Sequence, residues 1–179
     1  MAVSNLTVPS LVRVLRFYRW AFGDLMTDDA DIGSVGEYLV GDALGCLPPQ
    51  RIHPAPFDLV TKSGVTIEVK TTGAKHRDKK VMRYIWNISD QQTALEGKRE
   101  LASVWVFLAA SFPAKRSSRE QLAVFDPKYW SVYLLTGDQM LEAGCVKKAS
   151  EVTFSRLGVK PVPFADFKEA FRKLIKERK

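Results

Sequence analysis

Histidine and cysteine are scarce in this chain, two of each (His53, His76, Cys46 and Cys145). Cysteines so far apart make no disulfide framework, and beside two isolated histidines they assemble no zinc-finger spacing. Long hydrophobic runs are missing too. The longest, Val104 to Ala110, falls far short of the roughly 18 residues a membrane span needs. Arg13, Arg16 and Arg19 interrupt the only apolar stretch near the N-terminus, so no secretory signal is expected. No repeat, no low-complexity block and no linker-length Pro/Gly/Ser stretch occurs. There is no Gly-x-x-x-x-Gly-Lys-[Ser/Thr] phosphate loop and no Gly-x-Ser-x-Gly nucleophile elbow. These absences leave a protein expected in the reducing cytoplasm, away from membranes.

What is present is core-forming material and positive charge. Hydrophobic residues make up 46% and aromatics 11% of 179 residues, enough to bury a core without covalent staples. That length suggests one domain over 1–179. Lys and Arg outnumber Asp and Glu by 27 to 20, a formal charge of +7, which makes a polyanion the first partner to consider.

Hydrophobic periodicity predicts a helix over 11–22, with Leu11, Val14, Leu15, Tyr18 and Phe22 on one stripe. A second helix is expected from Ser34 to Leu44, stopped by Gly45. After Pro48, Pro49, Pro54 and Pro56 the period changes to that of strands. Phe57–Thr61 and Val65–Thr72 read as a hairpin turning through Lys62-Ser63-Gly64. Met82–Ile88 reads as a third strand, followed by a helix over about 90–97. Ser103–Ala109 is a strand covered on both faces. Leu122–Phe125 and Ser131–Leu135 are further strands, with a short helix near Gly137–Ala143. Phe164, Phe167, Phe171 and Leu174 mark a terminal amphipathic helix. The class is α/β, a mixed β-sheet flanked by helices.

The chemistry concentrates in the hairpin. Strand side chains alternate, so Val65, Ile67 and Val69 share one face while Thr66, Glu68, Lys70 and Thr72 share the other. Asp58 on the neighbouring strand can reach that second face. Two carboxylates and an ammonium there suit a hard divalent cation and a phosphate. The same residues also suit a surface ladder, in which Lys70 pairs with Asp58 or Glu68 and contributes only about 0.2–1 kcal/mol.

An Asp on one strand followed by Glu-x-Lys on the next resembles the PD-(D/E)XK nuclease superfamily, with its restriction-endonuclease-like fold. The order helix, hairpin, third strand, helix, strand over about 34–110 is similar to that family's core, with an N-terminal helix and C-terminal strands and helices added. The resemblance implies a Mg²⁺-dependent DNA endonuclease, with Mn²⁺ a possible substitute. It implies Asp58, Glu68 and the Val69 carbonyl as metal ligands and Lys70 as a catalytic cation. Between two carboxylates a lysine stays an ammonium, so Lys70 is assigned charge stabilisation and positioning rather than base work. Lys70→Ala is therefore expected to abolish cleavage while leaving stability and DNA binding nearly intact. Family members often carry a Glu on the preceding helix, a place that Glu37 fits. Ser34-Val35-Gly36-Glu37 is equally a capping box, which would turn Glu37 back onto its own helix end. Phe57, where many members have proline, departs from the pattern; Pro56 stands one position earlier.

Lys75, Arg77, Lys79, Lys80 and Arg83 follow the Glu-x-Lys strand and are expected to contact DNA phosphates. Lys115, Arg116 and Arg119 form a second basic cluster. Gln91 and Gln92 suit either the site or a solvated helix start. Asp28, Asp29 and Asp31 lack the spacing of a calcium loop and read as solvated. Double-stranded or branched DNA is the expected partner, and a subunit this small is expected to cut both strands as a homodimer. A Holliday-junction resolvase shares the motif, and a non-catalytic DNA-binding or assembly protein on the same fold is the rival.

Overall fold

A computed structural model describes residues 13–14, 16–17, 20, 32–48, 57–72, 76–78, 81–88, 102–111, 125–144 and 148–177 (backbone alone at 76–78 and 81–82). Helix α1 runs Ile32–Leu44 and ends at Gly45, whose φ of +67° suits a residue without Cβ. Strand β1 (Leu59–Val60) and β2 (Thr66–Thr72) are antiparallel, with Leu59 opposite Ile67. The turn between them closes as expected. Gly64 takes φ +82° and donates to the Thr61 carbonyl, while Val65 N–H donates to Thr61 Oγ1. β1 is shorter than predicted, since Phe57 and Asp58 precede it in a bend.

The chain then forms a ribbon from β3 (His76–Asp78) and β4 (Val81–Arg83), continues into β5 (Ile85–Asn87), and returns in β6 (Val104–Ala110). β7 (Trp130–Thr136) precedes α2 (Gly137–Glu142), and β8 (Lys148–Ser150) precedes α3 (Glu151–Arg156). β9 (Val162–Pro163) leads through a 3₁₀ turn at Phe164 into α4 (Phe167–Glu177). The main sheet has the order β1-β2-β6-β7-β9, with β2 and β6 parallel and the other pairs antiparallel. The expected mixed sheet flanked by helices is therefore present. No described helix is long and apolar enough to cross a membrane.

Alternation along the central strands builds two cores. Val104, Val106 and Leu108 of β6 join Ile67, Val69, α1, α4, Phe17 and Trp20 on one face. Trp105, Phe107 and Ala109 join Trp86, Tyr133, Met140 and Phe154 on the other. All seven residues of β6 are buried, as a strand roofed on both sides requires. Register between β2 and β6 is pinned at their start, where Ser103 N–H donates to Thr66 Oγ1 at 2.9 Å and Thr66 Oγ1 donates to Ser103 Oγ at 3.1 Å.

Several expectations need correction. Met82–Ile88 is not one strand: it breaks at Tyr84, the outer part pairing with β3 and the inner part with β8. Tyr84 causes the break, because its hydroxyl donates to the Ala110 carbonyl and its N–H to Glu151, both at 2.9 Å. Of the helix expected over 11–22, Phe17 and Trp20 are buried and Val14 packs on the core, while Leu11, Leu15, Tyr18 and Phe22 lie outside the described residues. Phe125 is buried but is not in a strand. The helix expected over about 90–97 lies outside the described residues, as does Leu122–Val124.

Two predictions follow from packing. A Cβ on Gly36 would overlap Thr71 Oγ1 and approach Leu108 Cδ1 to 2.9 Å. Gly36→Ala should therefore cost about 1–3 kcal/mol in urea unfolding, outweighing alanine's helix preference, and cost much less beside Thr71→Ala. The second concerns pH. Tyr133 donates to Glu151 Oε1 at 3.1 Å, and burial, then the Glu151 charge, raise its phenol above the ordinary 10.0. Burial, then Glu151, raises Tyr84 as well. A raised phenol supports the fold fully below about pH 10 and loses that support above it, as the unfolded chain ionises first. Alkaline unfolding curves should show stability falling above about pH 10, with a shallower fall in Tyr133→Phe.

Candidate active site

Glu68 and Lys70 leave β2 on the face opposite Ile67 and Val69, as alternation requires. Their Nζ–Oε1 distance is 2.6 Å, and Glu68 is only 1% exposed. The pairing is one that the ladder reading also allowed, but Glu68 is buried while the Lys70 side chain is 18% exposed. In the parallel register Glu68 stands beside Trp105 and Lys70 beside Phe107, whose rings stack with centroids 6.0 Å apart. An aromatic flank of this kind lowers the local dielectric and strengthens every charge interaction made there.

Asp58 precedes β1 at the point where β1 and β2 separate. Continuing the register of Leu59 with Ile67 places Asp58 opposite Glu68. Its Oδ2 accepts the Val69 N–H at 2.7 Å, taking the place of a ladder bond that β1 is too short to supply. N–H and C=O of one strand residue point to the same side, so the Val69 carbonyl faces that edge as well. Two carboxylates and a carbonyl thus share one strand edge, next to the Lys70 ammonium. Mg²⁺ takes oxygen ligands, one or two carboxylates completed by water, and this donor set fits that demand.

Glu37 is not a capping glutamate. α1 begins at Ile32, which leaves Ser34 inside the helix and removes the capping box. Glu37 is 9% exposed and lies one turn before Gly41, whose Cα faces Leu47 and Leu59. Gly36 meets Thr71 and Gly41 meets Leu59, so α1 runs antiparallel to β2. Among the described residues no three His, Cys, Asp or Glu side chains converge on one metal-sized centre. Thr72, 7% exposed, continues the Glu68–Lys70 face.

Of the basic residues, Arg77 falls in β3, which was not expected, and Arg83 in β4, within the stretch expected as the third strand. Lys75, Lys79, Lys80, Lys115, Arg116, Arg119, Gln91, Gln92, Asp28, Asp29 and Asp31 lie outside the described residues. Trp105 drew no attention in sequence, because its place beside Glu68 depends on pairing between strands 37 residues apart. A groove of about 360 Å³ lies at the opposite edge of the sheet, lined by Val132, Leu134, Val162, Lys173, Leu174 and Glu177. It shares no residue with the dyad. Comparison with protein-family models, curated proteins and solved structures gives no match for this chain.

Proposed function

We propose that this chain is a Mg²⁺-dependent endodeoxyribonuclease with a restriction-endonuclease-like core. The observation that carries the reading is the pairing of a buried Glu68 with a half-buried Lys70, set opposite an Asp58 that is tied to the Val69 amide. A buried ion pair is costly in itself, since taking two charges out of water offsets much of their attraction. Function is the simplest reason to keep it. The antiparallel hairpin that carries Asp58, followed by a strand parallel to β2, supports the family core.

Asp58, Glu68 and the Val69 carbonyl would hold the ion. When bound, Mg²⁺ polarises a phosphodiester and makes a coordinated water more acidic. Glu68 also holds Lys70 in place through Oε1, which fixes the ammonium where negative charge grows on the attacked phosphate. The stacked Trp105 and Phe107 exclude bulk water from that side. Glu37 would orient a water or a second ion from α1.

The burial changes one expectation. Removing Lys70 leaves Glu68 charged and buried, so Lys70→Met should cost about 3–5 kcal/mol in chemical unfolding rather than nothing. Glu68→Gln combined with Lys70→Met should recover most of that loss. With Mg²⁺ and plasmid, genomic DNA or a synthetic four-way junction, the parent protein should cleave, and EDTA should stop it. Discrete bands indicate site specificity, and selective junction cutting indicates a resolvase. The refolded double variant should lose at least about a hundredfold in rate. Parental cleavage by that variant would overturn the assignment, and an inert parent would favour a non-catalytic DNA-binding protein.

A further inference from the structure

We infer that the groove between β7, β9 and α4 binds an extended, acidic peptide segment of a partner protein, which joins the sheet at Leu134 and buries one apolar side chain against α4. The inference stands apart from the Glu68–Lys70 site, with which the groove shares no residue.

Backbone direction singles out Leu134. Gly137 N–H donates to the Ser103 carbonyl, and Ser111 N–H donates to the Tyr129 carbonyl. The odd-numbered residues of β7 therefore turn their backbone groups toward β6, and the even-numbered ones face the other edge. On that edge Val132 pairs with Val162 of β9, and Thr136 N–H donates to Gln139 Oε1. Leu134 lies between them. Continuing the register would set Lys160 opposite it, but β9 begins only at Val162. The chain approaches from elsewhere, because Gly158 turns at φ +72° and Val159 N–H is taken by the Phe154 carbonyl at the end of α3. Among the described residues Leu134 has no backbone partner on this side. The edge of β9 itself is closed to a further strand, since Pro161 and Pro163 face outward and neither has an N–H.

The groove supplies the rest of the site. Residues opposed in a strand pair project to the same face, so a residue bonded to Leu134 sets its side chain toward α4. There Val132, Val162 and Leu174 wall about 360 Å³, at the small end of ligand pockets and suited to an aliphatic anchor. Lys160 and Lys173 stand at the rim, with Glu177 Oε1 held 4.0 Å from Lys173 Nζ. α4 as a whole carries four Lys or Arg against two Glu. This charge selects acids on either side of the apolar anchor. Main-chain bonds with alternate side chains in pockets are how a sheet edge recognises a peptide, whereas nucleic acid offers neither a strand backbone nor an aliphatic anchor. Two copies of this chain would set two basic rims against each other.

The test uses the full chain and fluorescein-labelled peptides Asp-Glu-Val-X-Val-Glu-Asp, with Val, Leu, Ile, Met or Phe at X, read by anisotropy and by amide hydrogen exchange. In the free protein the Leu134 amide should exchange faster than those of Tyr133 and Leu135. At least one peptide should bind saturably and slow that exchange. N-methylation at X removes its donor to the Leu134 carbonyl and should weaken binding about tenfold. Lysines in place of the peptide's acids should do the same, and Lys160→Glu should weaken the acidic peptide about threefold. Ala170→Trp, with its unfolding transition recorded, should fill the groove and abolish binding. Saturable binding by none of the peptides, unchanged affinity after N-methylation, or a Leu134 amide already protected in the free chain would overturn the inference. So would a dimer in sedimentation that Ala170→Trp dissolves, or DNA binding that Lys160→Glu abolishes, since either gives the groove to a different occupant.

Discussion

The ion pair between a buried Glu68 and a half-buried Lys70 is sheltered because β2 has different roofs on its two faces. Ile67, Val69 and Thr71 lie toward α1, which comes close enough only because Gly36 has no side chain. Glu68, Lys70 and Thr72 lie toward the aromatic layer, beside Trp105, Phe107 and Ala109 of β6. A slip of one residue would bury the ammonium under α1 and turn Ile67 onto the polar edge. The Thr66–Ser103 bonds at one end and the Asp58 carboxylate on Val69 N–H farther along hold the register that prevents it. Asp58 thus has two jobs, ending the strand edge and presenting a carboxylate opposite Glu68.

Much of this was legible in sequence because it depends on short range. Alternation in Thr66–Thr72 separates core from polar residues whatever the tertiary context, and Gly64 and Gly45 stand where positive φ is needed. The seven apolar residues of β6 announced a strand covered on both sides. What stayed hidden depends on distant partners. The stretch Val81–Ile88 has one uniform pattern, yet it breaks at Tyr84 because Glu151, 67 residues away, takes the Tyr84 amide. β8 and α3 carry little periodic signal; β8 is defined by its pairing with β5. The capping box at Ser34 had the right spacing and failed because the helix starts two residues earlier, at Ile32. Burial of Glu68 escaped sequence reasoning for the same reason, since the walls that cover it come from β6.

That burial links stability to the proposed chemistry. An exposed lysine on a strand can be exchanged at little cost, whereas one neutralising a buried carboxylate cannot. The chain therefore carries a local electrostatic expense inside an otherwise apolar aromatic layer, a conflict typical of functional positions. Tyr84, at the junction of β4 and β5, satisfies both its hydroxyl and its amide, and β3 and β4 pair as a two-stranded sheet separate from the main one.

The most direct measurement is Mg²⁺-dependent nicking or linearisation of supercoiled plasmid by Glu68→Gln, with urea unfolding recorded on the same preparation. The substitution keeps the side chain's shape and removes its charge. A reaction site at Glu68 predicts a cooperatively folded variant that leaves the plasmid supercoiled under conditions where the parent cuts it. A folded Glu68→Gln protein that cuts at the parental rate would contradict it.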